Sequence, residues 1–163
     1  MIRYSLLKSS KPISLYEIES LNEELGFNLP EDFCHFYLLN NGGQIEGNRN
    51  IFVDEDEDEY IIKYIAPIKY VYFDSQYTIE KLWETFIVKK KLIPPTYIPF
   101  CLEGSGFPIC YNINNGHIFF ANIEHFDKGE DMLEPIALSL EDFINGMNKE
   151  DEANGERLIL CIL

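Results

Sequence analysis

Apolar side chains first recur along this chain at helical spacing. Leu15, Ile18, Leu21 and Leu25 fall on one face of a 3.6-residue period. Ser14 and Glu17 have the capping-box spacing, in which each side chain satisfies a free backbone N–H of the first turn, and Gly26 suits a left-handed exit. A second helix follows almost at once. Pro30 suits its first turn, Glu31 and Asp32 complement the positive end of its dipole, and Phe33, Phe36 and Tyr37, with Leu39 at the margin, supply its apolar stripe. "NNGG", from Asn40 to Gly43, ends it, because Asn and Gly tolerate the positive φ of a sharp exit.

The period then shortens. "NIFV", "YIIKYIAP" and "IKYVYF" read as β-strands, separated by an acidic run and by Pro67. Thr78 can cap a third helix with Ile79, Leu82, Trp83, Phe86 and Ile87 on its buried face; Lys89, Lys90 and Lys91 complement its carboxyl end, and Pro94 and Pro95 stop it. "TYIPFCL", "FPICYNI" and "HIFFANI" follow as an antiparallel meander, joined by Gly104-Ser105-Gly106 and by Asn114-Asn115-Gly116. Ser139 opens a fourth helix carrying Leu140, Phe143, Ile144 and Met147. The chain closes on an acidic linker and the apolar "RLILCIL", expected to be an added strand or a packed tail. No segment repeats, and no linker is long enough to separate a pair of cores. The pattern predicts one α+β domain over residues 1–163, mostly antiparallel sheet with about four helices packed against it, with 148–163 as acidic linker and C-terminal extension.

Composition changes this picture in one respect. A chain of 163 residues with 46% hydrophobic and 14% aromatic content is ordinary for a folded domain, but 28 Asp and Glu against 13 Lys and Arg leave a formal net charge of -15. Direct nucleic-acid binding, which neutralises phosphates with cations, is disfavoured; a basic protein partner is favoured, and acidity also serves solubility. The amino-terminal segment has no continuous apolar core of a secretory signal, and no apolar run approaches the ~20 residues that span a bilayer, so a cytoplasmic protein without a membrane segment is expected. Cys34, Cys101, Cys110 and Cys161 are far apart, as reduced thiols would be.

The densest charge is "DEDEDE", Asp54, Glu55, Asp56, Glu57, Asp58 and Glu59. Asp54, Asp56 and Asp58 match the first, third and fifth positions of an EF-hand loop, yet the sixth position, which requires Gly, is Glu59, and the twelfth, which requires a bidentate Glu, is Ile65. No metal is therefore expected there. Cys34 and His35 are adjacent on a helix and diverge by about 100° per residue, so they form no nucleophile pair. His117 and His125 have no partner in sequence, paired acids occur by chance in so acidic a chain, and "GGQIEG" and "GSG" lack the Walker lysine and the dinucleotide-fold order. No active site and no cofactor motif emerges. A second acidic segment, Glu124 to Glu156, holds eleven acids, Glu124, Asp127, Glu130 and Asp131 at its head, against only Lys128 and Lys149. The two segments are either separate solvated loops or, if they share a face, a docking surface.

Three stretches together resemble the SUKH (Smi/Knr-like) superfamily, which includes fungal cell-wall-synthesis regulators and many bacterial immunity proteins. They are "ELGFNLPEDFCHFYLLNNGG", Glu24 to Gly43; "YIPFCLEGSGFPICYNI", Tyr97 to Ile113; and "IALSLEDFINGM", Ile136 to Met147. Two features depart from the family: the turn "EGSGFP" is less rich in Gly and Asp, and "RLILCIL" lies past the usual final helix. The resemblance implies binding and no catalysis: an immunity protein that neutralises a cognate toxin, for instance a nuclease, or else a regulatory or scaffold module with no toxin partner. The positions that match are scaffold residues, Leu29, Pro30, Phe33, Asn41, Gly42 and Gly43. Charge then points to Asp54–Glu59, Glu124, Asp127, Glu130 and Asp131 as the partner-binding residues, because dense carboxylates can occupy the cations a nuclease presents to phosphate.

Overall fold

In a computed structural model, which describes residues 1–71, 77–124 and 129–153, the helical hairpin forms where the caps place it. Helix α1 (Leu15–Leu25) starts with the Ser14 hydroxyl accepting the Glu17 N–H while the Glu17 carboxylate accepts the Ser14 N–H at 2.7 Å, and it ends at Gly26 with φ 86. Ile18, Leu21 and Leu25 are buried, but Leu15, the first helical residue, is 65% exposed, so the apolar stripe begins one turn later than the spacing predicts. The Leu29 N–H donates to Asn22 Oδ1 at 2.9 Å and ties down the turn before helix α2 (Glu31–Leu39). Pro30 stands just before that helix in an extended conformation instead of inside its first turn. Phe33, Phe36 and Tyr37 are buried; Leu39, at the last turn, is 67% exposed.

The architecture is α+β. A two-stranded sheet, β1 (Leu6–Leu7) with β2 (Gln44–Ile45), accompanies a seven-stranded antiparallel sheet. Its strands are β3 (Ile51–Val53), β4 (Glu59–Ile65), β5 (Tyr97–Glu103), β6 (Pro108–Asn112), β7 (Ile118–Ala121), β8 (Leu133–Ala137) and β9 (Met147–Asn148). They lie in the order β8-β7-β6-β5-β4-β3-β9. Every residue of β6 is buried, which requires cover on both faces. The meander extends beyond the three strands read from sequence, since "LEPIA" adds β8 against β7. The sheet also curls: the Tyr60 ring on β4 meets the Phe120 ring on β7 at 4.9 Å although two strands lie between them.

Helix α3 (Ile79–Trp83) is capped by Thr78, and the chain then widens into a π-helical segment (Glu84–Lys89) in place of the one regular helix that the spacing predicts. Phe86 stays buried and Ile87 is half-buried. Helix α4 (Leu140–Asn145) is shorter than its apolar stripe suggests, because the chain turns at Gly146 and Met147 pairs with Phe52 as the first residue of β9. A Cβ at position 146 would stand 2.8 Å from the Phe52 ring, so glycine permits that turn. Phe143 joins the layers, its ring 5.0 Å from Phe52 and 5.7 Å from Phe100.

The segment after β4 is the junction of the fold. Asn41, 2% exposed, donates from Nδ2 to the carbonyls of Lys11 (2.8 Å) and Ile68 (2.9 Å), while its Oδ1 accepts the Ile68 N–H (2.7 Å). Tyr37, fully buried, donates its hydroxyl to the Ala66 carbonyl at 2.8 Å. Gly42 (φ 72) and Gly43 (φ 127) bring backbone against backbone, and a Cβ at Gly42 would lie 2.5 Å from the Ile65 carbonyl oxygen. These contacts correct the strand expected over "IKYVYF": both backbone groups of Ile68 are taken by one side chain and none is left for a ladder. Residues 72 and 73 of that stretch, like "RLILCIL", lie outside the described residues.

Asn41→Ala would orphan the buried Ile68 N–H and take the Asn41 bond from the Lys11 and Ile68 carbonyls, of which the latter keeps the Tyr70 N–H, a cost of about 2 kcal/mol. Gly42→Ala would add a close backbone contact to a positive-φ penalty and destabilise by at least as much. Urea unfolding followed by far-UV circular dichroism reads both as lowered midpoints with unchanged slope.

Candidate partner-binding surface

The six consecutive carboxylates form the tip of the β3–β4 hairpin. The Glu57 N–H donates to the Asp54 carbonyl (3.1 Å), and the Asp54 N–H to the Asp58 carbonyl (3.0 Å), with Glu57 in the left-handed region at φ 65. That is a two-residue turn followed by a bulge, a geometry in which the left-handed position ordinarily carries glycine. Asp54 holds the turn from inside: Oδ1 accepts the N–H groups of Asp56 (3.0 Å) and Asp58 (2.9 Å), and Oδ2 accepts the Tyr60 hydroxyl (3.0 Å). One acid of the six is thus the turn's own cap, and Glu55, Asp56, Glu57, Asp58 and Glu59 are exposed around it. Among the described residues, no group of three or more His, Cys, Asp or Glu is arranged to hold a metal ion.

The second acidic segment divides. Glu134, on β8 opposite Phe120, lies within electrostatic reach of Tyr60, whose hydroxyl is pushed well up by burial first, then by Asp54, and by the charges of Asp58 and Glu134. The curl of the sheet therefore brings the β8 edge toward the hairpin. Glu130 instead lies toward Tyr97 at the start of β5, whose hydroxyl is raised first by burial and then by the Glu130 charge. Asp131 and Glu124 are exposed, and Asp127 lies outside the described residues, as do His125 and Cys161. Glu134 is not among the residues expected from sequence; it is half-buried in an irregular β8, and its pairing with Phe120 is what places it.

The described thiols are held protonated. Burial pushes Cys101 and Cys110 up strongly, and burial with the Asp32 charge raises Cys34. A nucleophile needs the opposite environment. His35 is exposed beside Cys34, and the His117 backbone N–H donates to Asn115 Oδ1, which places it in a turn.

Two glutamates near the junction segment titrate in opposite directions. Glu17 is held down at about 2, chiefly by the Tyr70 hydroxyl, then by the Ser14 N–H and by Lys69. Glu80 is pushed up to about 7 by burial, offset in part by the Lys69 N–H that it accepts at 2.8 Å and reinforced by the Glu24 charge. Among the described residues no helix is long and apolar enough to cross a membrane.

The family model for the SMI1 / KNR4 family (SUKH-1) matches residues 12–146, from the segment before α1 to the turn that ends α4. No curated protein matches the chain.

Carboxylates of the hairpin and of the junction segment can be tested by stability. Glu57→Gly relieves the left-handed strain and raises stability by about 1 kcal/mol in urea unfolding, whereas Glu57→Gln, which removes the charge but keeps the Cβ, gives no such gain. Glu80 binds its proton more tightly folded than unfolded, so its contribution to stability is full below about pH 4.5 and is lost as pH rises through about 7. Glu80→Gln accordingly gains about 2 kcal/mol at pH 8 and close to nothing at pH 4.5, read as Tm against pH.

Proposed function

The chain belongs to the SMI1 / KNR4 family (SUKH-1), and from that premise we propose that it is a non-catalytic binding protein, a bacterial immunity protein that neutralises a cognate toxin by stoichiometric binding. The observation that carries the surface assignment is the hairpin tip, where Asp54 fixes the turn and five further carboxylates face solvent. A rigid loop loses little conformational freedom on docking, and dense negative charge steers a basic partner and speeds its approach. Glu134 adds charge from the β8 edge, so a basic toxin such as a nuclease would meet it and the hairpin carboxylates with the cations it uses on phosphate; Glu124 and Asp131 are exposed on the same segment, while Glu130 is turned toward Tyr97. Two properties support binding over catalysis: the described thiols are held protonated, and the buried Asn41 and Tyr37 are saturated by backbone bonds within the scaffold. The partner is a protein; neither a nucleic acid nor a cofactor is part of the reading, and its site of action is the cytoplasm.

Co-expression with a toxin from a neighbouring gene tests the reading, with rescue of growth as the expected result. Failure to rescue, with no complex in solution, would favour a regulatory or scaffold module without a toxin. In a complex with that toxin, the combined change Glu55→Gln, Asp56→Asn, Glu57→Gln, Asp58→Asn and Glu59→Gln weakens binding about ten-fold at low salt and flattens its salt dependence, while Asp54, kept in place, preserves the turn. Equal affinities of the two proteins across the salt range would remove the hairpin from the interface.

A further inference from the structure

The ladder between β4 and β5 skips a residue beside this hairpin. Ile62 pairs with Glu103 and Ile65 with Cys101, so Lys63 and Tyr64 on β4 oppose Leu102 alone on β5. Such a bulge bends the strand and parts the ladder locally. A groove of about 460 Å³ opens there, lined by Lys63, Tyr64, Tyr77, Leu102 and Gly104 among others. Two large apolar side chains stand in water at this place: Tyr77 is 52% exposed, and Ile61, 43% exposed, adjoins position 104.

Charge around the groove is ordered. Glu59, Ile61 and Lys63 alternate on the outward side of β4, which places the hairpin carboxylates at one end and Lys63 at the other. Among the described residues, Glu55, Asp56, Glu57 and Asp58 form no ion pair. Glu103, at the groove wall, is occupied within its own turn, where Oε1 accepts the N–H groups of Ser105 and Phe107. A second copy of a chain with net charge -15 is repelled from such a surface.

Resting on the reading of this chain as a binder of a basic protein, we propose that the groove receives one large apolar side chain of that partner, from an extended segment whose flanking cations lie on the hairpin carboxylates. The bulge supplies the space, Tyr64, Tyr77 and Leu102 supply the apolar walls, and Lys63 repels a cation at the far end and so orients the segment. An anchor buried in a pocket beside steering charge is the usual distribution of binding energy at an interface.

The test uses ¹⁵N-labelled protein and three peptide probes: acetyl-Lys-Lys-Phe-Lys-Lys-amide, its Phe-to-Ala counterpart, and the counterpart with serine in place of lysine. The Phe peptide is expected to shift the amides of Lys63, Tyr64, Leu102 and Gly104 and to saturate at about ten-fold lower concentration than the Ala peptide, which shifts the hairpin alone. Gly104→Phe fills the groove, and is compatible with the turn because position 104 has no positive φ and its Cβ would meet nothing closer than 3.7 Å. It should reduce the Phe peptide to the affinity of the Ala peptide, with the hairpin response to the Ala peptide unchanged as the check on its fold. Silent groove amides, an affinity difference that survives Gly104→Phe, or serine-flanked peptide binding as tightly as the lysine-flanked one would each overturn the proposal. If hairpin amides still respond to the lysine peptides in that case, only the groove falls; if neither region responds, the acidic docking surface falls with it.

Discussion

The side chain of Asn41 is the contact on which the rest of this structure depends. Three chain segments that are remote in sequence meet there: the stretch before α1 at Lys11, the exit of α2, and the backbone beyond β4 at Ile68. Such a convergence buries peptide groups that no ladder or helix can satisfy, and an amide, which both donates and accepts, satisfies them from one residue. Gly42 and Gly43 belong to the same solution, since only residues without a Cβ let the backbones approach closely enough for Asn41 to reach. The helical hairpin is thereby fastened to the sheet at one point, and Tyr37 and Ala66 reinforce it one turn away.

With the scaffold fixed in this way, the acidic tip can be rigid at low cost. Asp54 satisfies two backbone N–H groups and the Tyr60 hydroxyl, and the Tyr60 ring in turn packs on Phe120 across the curled sheet. The hairpin charges are consequently presented by the core rather than by a free loop. The same curl carries Glu134 toward Tyr60, so a portion of the second acidic segment faces the first, while Glu130 is turned toward Tyr97. Charge on this surface is thus held in a fixed pattern, with the bulge groove of β4 and β5 at its border.

The division between Glu17 and Glu80 shows how local geometry decides the state of chemically identical groups. Glu17 caps a helix and meets a hydroxyl and a lysine; Glu80 is partly buried with another carboxylate near it. Both hold the segment at Lys69 and Tyr70, one by side chains and one through a backbone N–H, so this junction responds to acid and to alkali by different residues.

Helix caps and turn glycines are local chemistry, and the sequence by itself determined them: Ser14 with Glu17, Gly26, Thr78 and Ser139 stand where their spacing puts them, and the meander and the family follow from the same kind of pattern. Periodicity overreached at the margins: Leu15 and Leu39 stay exposed, and Met147, though buried, belongs to β9 and not to the helix, because what covers or pairs with a residue depends on what the far chain brings to it. Neither the loss of the strand at Ile68 nor the capture of Asp54 by its own turn could be read in advance, since each depends on which side chain reaches a backbone group first. The meeting of Tyr60 with Phe120, the place of Glu134 and the groove at Lys63 and Tyr64 were decided by tertiary structure alone. They arise from the curl and register of a sheet, which are set by all its strands packing together and by no single stretch of sequence.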